Sequence, residues 1–125
     1  MTIVVGYVDR PEGRAALEAA IAEARRSGER LVVVSVVRDR VSGADSAALD
    51  ARLAGEAFPH EVRRGGGEWV PADALLRAIT ECRARLLVIG MRERPVLGRL
   101  LPGATAQQLV LESPCDVLTV RAPGR

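Results

Sequence analysis

The sequence has no lysine and no asparagine, and it is poor in aromatic residues and histidine. All 18 basic residues are arginine, and there is one Trp, one Tyr, one Phe and a single histidine, His60. Without lysine there can be no Schiff base and no P-loop lysine, and one His with two Cys cannot build an ordinary structural zinc site. So few aromatic side chains leave no stacking platform for single-stranded nucleic acid. The composition therefore predicts no metal site and excludes several kinds of catalysis.

The charges are nearly balanced and scattered along the chain. Eighteen arginines against sixteen acidic residues give a formal net charge of +2. The arginines form short pairs such as Arg25-Arg26 and Arg63-Arg64, which is typical of solvated helix ends and loop edges rather than of a nucleic-acid patch. We therefore expect no nucleic-acid partner.

Neither a membrane segment nor a disulfide is expected. No apolar run approaches the roughly 20 residues that a membrane helix needs. The N-terminus enters Thr2-Ile3-Val4-Val5-Gly6 directly, without the charged and apolar regions of a secretion signal. Cys82 falls in a helical pattern and Cys115 at a strand start, so both are expected to be reduced, buried thiols. These features predict a cytoplasmic protein.

The apolar residues follow two alternating periods. Short aliphatic runs that are nearly continuous predict strands covered on both faces, as in a parallel sheet. These runs are Ile3–Val8, Leu31–Val37, Leu86–Ile89 and Val117–Val120. A fifth strand, more polar and suited to a sheet edge, is predicted at His60–Arg63.

Helical patterns separate the predicted strands. They are centred on Leu17–Ala24, Leu49–Leu53, Leu75–Cys82 and Ala104–Glu112. The second of these patterns is weak and follows residues 42–46. The order βαβαβαβαβ predicts an α/β fold, a doubly wound, Rossmann-like parallel sheet of five strands with four helices, in a single domain over residues 1–125.

A loop with glycines follows the fourth predicted strand and runs from Gly90 to Gly103. Ligands of such sheets bind beyond the carboxyl ends of the strands, where the strand order reverses. Glycines let backbone N–H groups approach a phosphate, and a helix N-terminus adds a favourable dipole. Tight turns also use glycine, so the spacing alone leaves both interpretations open. The candidate nucleotide cleft comprises Gly90, Arg92, Gly103, Ala104, Thr105 and Val36.

Three stretches of the chain resemble the universal stress protein family. They are Ile3-Val4-Val5-Gly6 with the following Pro11–Leu17, then Leu86–Gly90, and finally Ser113-Pro114-Cys115 with its aliphatic strand. The resemblance covers essentially the whole chain and implies the five-stranded fold of the adenine-nucleotide alpha hydrolase type. It also implies a motif, G-x2-G-x9-G-[S/T], that ATP-binding members carry after the fourth strand, with an acidic residue just beyond the first strand.

This sequence keeps only part of the motif that the resemblance implies. Gly90 and Gly103 match the outer glycines, but Glu93 stands at the second glycine and Ala104 at the hydroxyl position. Val8 stands where the adenosine-binding Asp is expected, with Asp9 one residue later. Each change disfavours ATP, so weak or absent ATP binding is expected. The alternative is an ATP- or AMP-binding member that uses the Gly90–Thr105 loop, whose arginines suit phosphate.

The remaining predictions concern activity and assembly. The chain lacks a nucleophile elbow and a base beside Cys115, so we expect no catalytic residues and a non-enzymatic, regulatory stress-response protein. A flavodoxin-like enzyme is a further alternative, but the chain contains few side chains that could act in catalysis.

The resemblance implies a homodimer through the last strand, Cys115–Val120. This strand has no internal Lys or Pro that would protect its edge from pairing with another strand. An unidentified protein partner is the other expected interaction.

Overall fold

The computed structural model describes residues 1–36, 43–65, 71–91, 93–94, 99–100 and 104–122. Its helices are α1 (Pro11–Ser27), α2 (Gly43–Leu53), α3 (Pro71–Cys82) and α4 (Ala104–Glu112). Its strands are β1 (Thr2–Tyr7), β2 (Arg30–Val36), β3 (His60–Gly65), β4 (Ala84–Met91), β5 (Glu93–Arg94), β6 (Arg99–Leu100) and β7 (Asp116–Arg121).

The main sheet contains five strands in the order β3-β2-β1-β4-β7, and every neighbouring pair is parallel. Its central strands are aliphatic on both faces because both faces are covered by helices. Ile3 and Val5 pack with α1 and α2 on one face, whereas Val4 packs with α3 and α4 on the other. The predicted doubly wound parallel sheet with four helices is therefore confirmed.

Helix α1 is the longest helix, and its ends follow from the local sequence. Pro11 occupies the first helical position, where a missing N–H is tolerated. The helix buries a stripe of small and aliphatic residues, among them Leu17, Ala20 and Ile21. It ends at Gly28, which adopts a left-handed φ of 71° and donates its N–H to the carbonyl of Ala24 at 2.8 Å.

Several element boundaries differ from the sequence predictions. β1 ends at Tyr7, so Val8 lies in the following turn. β2 runs to Val36, and Val37, the predicted last residue of that strand, lies outside the described residues. Helix α2 begins at Gly43, inside the stretch predicted to precede it. β4 continues through Met91, so Gly90 is a strand residue and not the first residue of a loop. The short strands β5 and β6 were not predicted, because two-residue strands carry no recognisable apolar period.

Two clusters of ion pairs tie α1 to neighbouring segments. Glu56, just beyond α2, accepts hydrogen bonds from Arg25 and Arg52, and Arg52 also binds Glu18 of α1. Glu23 accepts hydrogen bonds from Arg26 and from Arg85 of β4. The guanidinium groups of Arg26 and Arg85 lower the pKa of Glu23 to about 2, and those of Arg25 and Arg52 do the same for the pKa of Glu56.

Acid is expected to weaken the fold through these two carboxylates. A carboxyl with a folded-state pKa of about 2 and a reference value of 4.5 stabilises the fold fully above about pH 4.5. That contribution is lost as the pH falls from 4.5 through about 2. Urea unfolding at pH 7, 4.5, 3 and 2 measures it, and Glu56→Gln should reduce the pH dependence in this window. Glu112→Gln, an exposed carboxylate outside both clusters, is the control; an unchanged pH dependence in Glu56→Gln would contradict the assignment.

Candidate functional site

The strand order of the sheet reverses between β1 and β4. β1 leads into α1 on one face of the sheet, and β4 leads towards α4 on the other. The two strands are direct neighbours in register, with Val5 opposite Val88. Their carboxyl ends therefore open the crevice in which doubly wound folds bind ligands. The described residues at this edge are the turn after β1 and the end of β4.

The turn after β1 is tight and is held by backbone contacts. The N–H of Arg10 donates to the carbonyl of Val8 at 2.8 Å, and the N–H of Arg14 donates to the carbonyl of Arg10 at 2.9 Å. Gly13 lies so near this turn that a Cβ at position 13 would stand 1.9 Å from the carbonyl oxygen of Val8. The first turn of α1 can approach the end of β1 only because residue 13 has no side chain.

The carboxylate nearest the expected adenosine-binding position is engaged elsewhere. Val8 itself offers only an aliphatic side chain. Asp9 is exposed and accepts a hydrogen bond from Nη1 of Arg14 at 2.8 Å. In the same turn Arg10 and Glu12 stand 4.0 Å apart. The turn thus presents the aliphatic side chain of Val8 beside a carboxylate, Asp9, that is paired with Arg14.

Gly90 has a structural reason to be glycine that the sequence did not reveal. It lies within β4 and is paired with Val120 of β7. A Cβ at this position would stand 2.2 Å from the carbonyl oxygen of Glu12, in the first turn of α1. The close approach of α1 to β4 therefore requires a glycine here whether or not a phosphate binds.

The other predicted cleft residues that the structure describes lie on two elements. Val36 is the last residue of β2, the neighbour of β1, while Ala104 and Thr105 are the first two residues of α4. Arg92 and Gly103 lie outside the described residues. The structure thus brings Val8 and Gly90 to adjacent strand ends, with the end of β2 one strand further along the sheet.

The loop that was predicted to wrap a phosphate contains a small antiparallel pair. Glu93 lies opposite Leu100, and Arg94 lies opposite Arg99. The position of the second motif glycine is therefore a strand residue. Sequence reasoning missed this pair, and the nearest signal is Pro95 with Gly98, residue types that commonly flank a turn.

The isolated His and Cys residues take structural contacts. Nδ1 of His60 lies 3.1 Å from the carbonyl oxygen of Phe58, and the two rings pack edge to face at 5.8 Å. Cys82 and Cys115 are free thiols, but both are half-buried rather than fully buried as expected. Cys82 lies at the end of α3 and Cys115 just before β7.

Neither a metal cluster nor a membrane span occurs in the described part of the chain. No group of three or more His, Cys, Asp or Glu residues comes together there in a way that could hold a metal ion. None of the helices, over the same residues, combines the length and apolar character that crossing a membrane demands.

Comparisons with known proteins point to a single family along nearly the whole chain. The model of the universal stress protein family matches residues 1–121. A universal stress protein of Mycolicibacterium smegmatis is 41% identical, with 98% of each chain covered. A structure of a universal stress protein in complex with cAMP is 28% identical with a TM-score of 0.70 and 98% of each chain covered. One from Archaeoglobus fulgidus is 26% identical with a TM-score of 0.70, over 96% of this chain and 98% of that one. The chain belongs to the universal stress protein family.

Proposed function

We propose that this chain is a non-enzymatic, dimeric stress-response protein whose nucleotide cleft binds ATP weakly or not at all. The observation that carries the proposal is the turn after β1. Val8 stands at the position where the family's adenosine-binding acid is expected, and the neighbouring Asp9 is bound to Arg14. The protein then acts through its surface in the cytoplasm, a compartment that suits its two free thiols.

Several unfavourable changes combine at this cleft. A buried polar group of a ligand that finds no partner loses about 1–3 kcal/mol. The side chain of Val8 provides no acceptor, Ala104 provides no hydroxyl, and Glu93 adds a negative charge to the phosphate loop. Together these losses convert a micromolar affinity, about 8 kcal/mol, into a millimolar one, about 4 kcal/mol.

A second candidate function is a true adenine-nucleotide-binding protein that uses the Gly90–Thr105 loop. Two observations favour it. The structural relative in complex with cAMP shares the fold over almost its full length. The loop also carries Arg92, Arg94 and Arg99, and guanidinium groups bind phosphate oxygens in pairs.

Dimerisation through β7 is the other part of the proposal. β7 lies at one end of the sheet, and its four central residues are uncharged. A long edge strand of this kind presents unpaired N–H and C=O groups that pair readily with another strand. A second copy of the chain supplies a matching edge by symmetry.

A nucleotide titration distinguishes the two functions. We expect the wild-type protein to bind ATP and AMP with Kd near or above about 1 mM in calorimetry, and to release no nucleotide when it is denatured. The variant Val8→Asp with Glu93→Gly restores the acidic acceptor and the second motif glycine, so it should bind at least about ten-fold more tightly.

Each single variant is measured beside the double variant. Asp9→Asn, which removes the charge that Arg14 binds, is the matched control and should leave the affinity of the wild type unchanged. Wild-type binding below about 100 µM, or nucleotide released on denaturation, would favour the second candidate. A double variant with no gain in affinity would show that Val8 and Glu93 are not what closes the cleft.

A further inference from the structure

We propose that Glu12 makes the crevice between β1 and β4 select an uncharged nucleoside over the corresponding nucleotide. The carboxylate of Glu12 accepts a hydrogen bond from a ribose hydroxyl and repels a phosphate group. This inference rests on the proposed cleft that binds ATP weakly, and it adds a residue and a class of ligand that fit this cleft. The placement of Glu12, its burial and the charges around it support the inference.

Glu12 lies directly over the end of β4. It is the second residue of α1, and this helix packs against both β1 and β4. A Cβ at residue 90 would collide with the carbonyl oxygen of Glu12 and would stand 3.0 Å from its Cβ. Because Gly90 has no side chain, the side chain of Glu12 begins at the carboxyl end of β4, where ligands of doubly wound folds bind. Its carboxyl carbon is only two bonds further along the side chain, so the carboxylate stays near the crevice.

The side chain of Glu12 is covered instead of extending into water. It is 14% exposed, whereas the side chains of Asp9, Arg10 and Arg14 in the same turn are half exposed or more. A charge with little access to water is screened less, so it acts more strongly on a neighbouring ligand than an exposed charge does. Glu12 is therefore the charge of this turn that a ligand in the crevice would experience most.

The ion pair of Glu12 leaves it able to bind a ligand. Nη1 of Arg10 stands 4.0 Å from a carboxylate oxygen of Glu12, which is further than a hydrogen bond reaches. A carboxylate has about four acceptor sites, so it can accept from a ribose hydroxyl in addition to its partners in the protein. Glu12 can thus supply the acceptor that the side chain of Val8 lacks.

The same carboxylate opposes a phosphate group at the end of β4. A ribose hydroxyl donates to a carboxylate, whereas a phosphate dianion brings acceptors and a charge of the same sign. Gly90 matches the first glycine of the ATP-binding motif, and Glu93 adds a second carboxylate to the loop that follows. The arginines of that loop act in the opposite direction. Glu12 prevails in this proposal because its side chain starts at the strand end and is covered from water.

A carboxylate in the first turn of a helix can also have a purely structural role. Its charge interacts favourably with the dipole at the N-terminus of α1. That role would affect stability and leave ligand selectivity unchanged. Glu12→Gln removes the charge and keeps the size of the side chain, whereas Glu12→Asp keeps the charge, so the two variants separate the two roles.

Calorimetric titrations with adenosine and with AMP at neutral pH test the inference. The wild-type protein should bind adenosine at least about ten-fold more tightly than AMP. It should bind 2′,3′-dideoxyadenosine, which lacks the ribose hydroxyls, at least about five-fold more weakly than adenosine. In Glu12→Gln the preference for adenosine over AMP should fall to about three-fold or less, whereas Glu12→Asp should keep at least about five-fold. Glu112→Gln is the matched control and should keep the wild-type preference, because Glu112 is exposed at the far end of α4.

The outcomes distinguish this inference from the proposed function. Wild-type protein that binds AMP as tightly as adenosine, or that binds no adenosine at up to about 5 mM, would overturn the inference. The second of these results would leave weak ATP binding intact. AMP binding below about 100 µM with adenosine tighter still would overturn the proposed function and keep the selectivity. An unchanged preference in Glu12→Gln, with a Tm below that of Glu112→Gln, would restrict Glu12 to stabilising α1 and contradict its role in the crevice.

Discussion

Gly90→Ala is expected to lower the free energy of unfolding by about 3 kcal/mol or more, the upper end of overpacking effects in tightly packed sites. The added methyl group would stand 2.2 Å from the carbonyl oxygen of Glu12, and both atoms are fixed to backbone. Relief requires α1 to move away from β4, which would separate Leu17 and Ile21 from the sheet. Thermal unfolding should show a decrease in Tm of about 10 °C or more.

Glycines in open positions provide the control for this prediction. Gly28 and Gly55 have φ values of 71° and 87°, and nothing lies within 4 Å of a Cβ built on either. Alanine there has only backbone strain to accommodate, about 1–2 kcal/mol. Gly13→Ala, which meets the carbonyl oxygen of Val8 at 1.9 Å, should resemble Gly90→Ala. A Gly90→Ala protein as stable as Gly28→Ala would show that the contact between α1 and β4 does not require glycine.

The contact at Gly90 changes what the partial motif means. A glycine retained after the fourth strand looks like a remnant of a phosphate loop when only spacing is considered. The structure gives it a packing role against the first turn of α1. The presence of Gly90 is therefore compatible with the proposed cleft that binds ATP weakly, and Val8 and Glu93 are the residues that distinguish the two candidate functions.

The fold could be predicted from the sequence because its strands and helices produce local periods in the apolar residues. Runs such as Ile3–Val5 and Leu31–Val33 are apolar at every position, and strands with both faces covered are the arrangement that buries such runs. The stripe containing Leu17 and Ile21 predicted α1 for the same kind of reason. The spatial order β3-β2-β1-β4-β7 was not predicted, because the order of elements along the chain does not determine which strands are neighbours.

The details of the candidate site depend on approaches between segments distant in sequence. No local pattern indicates that Gly90 meets the carbonyl oxygen of Glu12, which lies far from it in the sequence. The pairing of β5 with β6 was missed because Glu93 and Leu100 have no apolar period to mark them. Such contacts appear only when the whole chain is assembled.

The second substitution with a large expected effect is Leu109→Ala in α4, which should lower the free energy of unfolding. Leu109 is 1% exposed and packs in the apolar cluster with Leu75 and Ile79 of α3. Truncating a buried leucine typically lowers the free energy of unfolding by about 2–5 kcal/mol, the larger values where the cavity cannot collapse. A helix of nine residues is not stable on its own, so α4 depends on this anchor to remain folded.

Leu111→Ala is the matched control, because it makes the same substitution two residues later on the same helix. Leu111 is 77% exposed, so its truncation should change the free energy of unfolding by no more than about 0.5 kcal/mol. Urea unfolding of both variants, at concentrations low enough to populate monomer, separates folding from association. Equal losses in the two variants would contradict the orientation of α4. A loss at Leu111 that grows with protein concentration would instead place this leucine in the dimer interface, because only an interface contact makes stability depend on concentration.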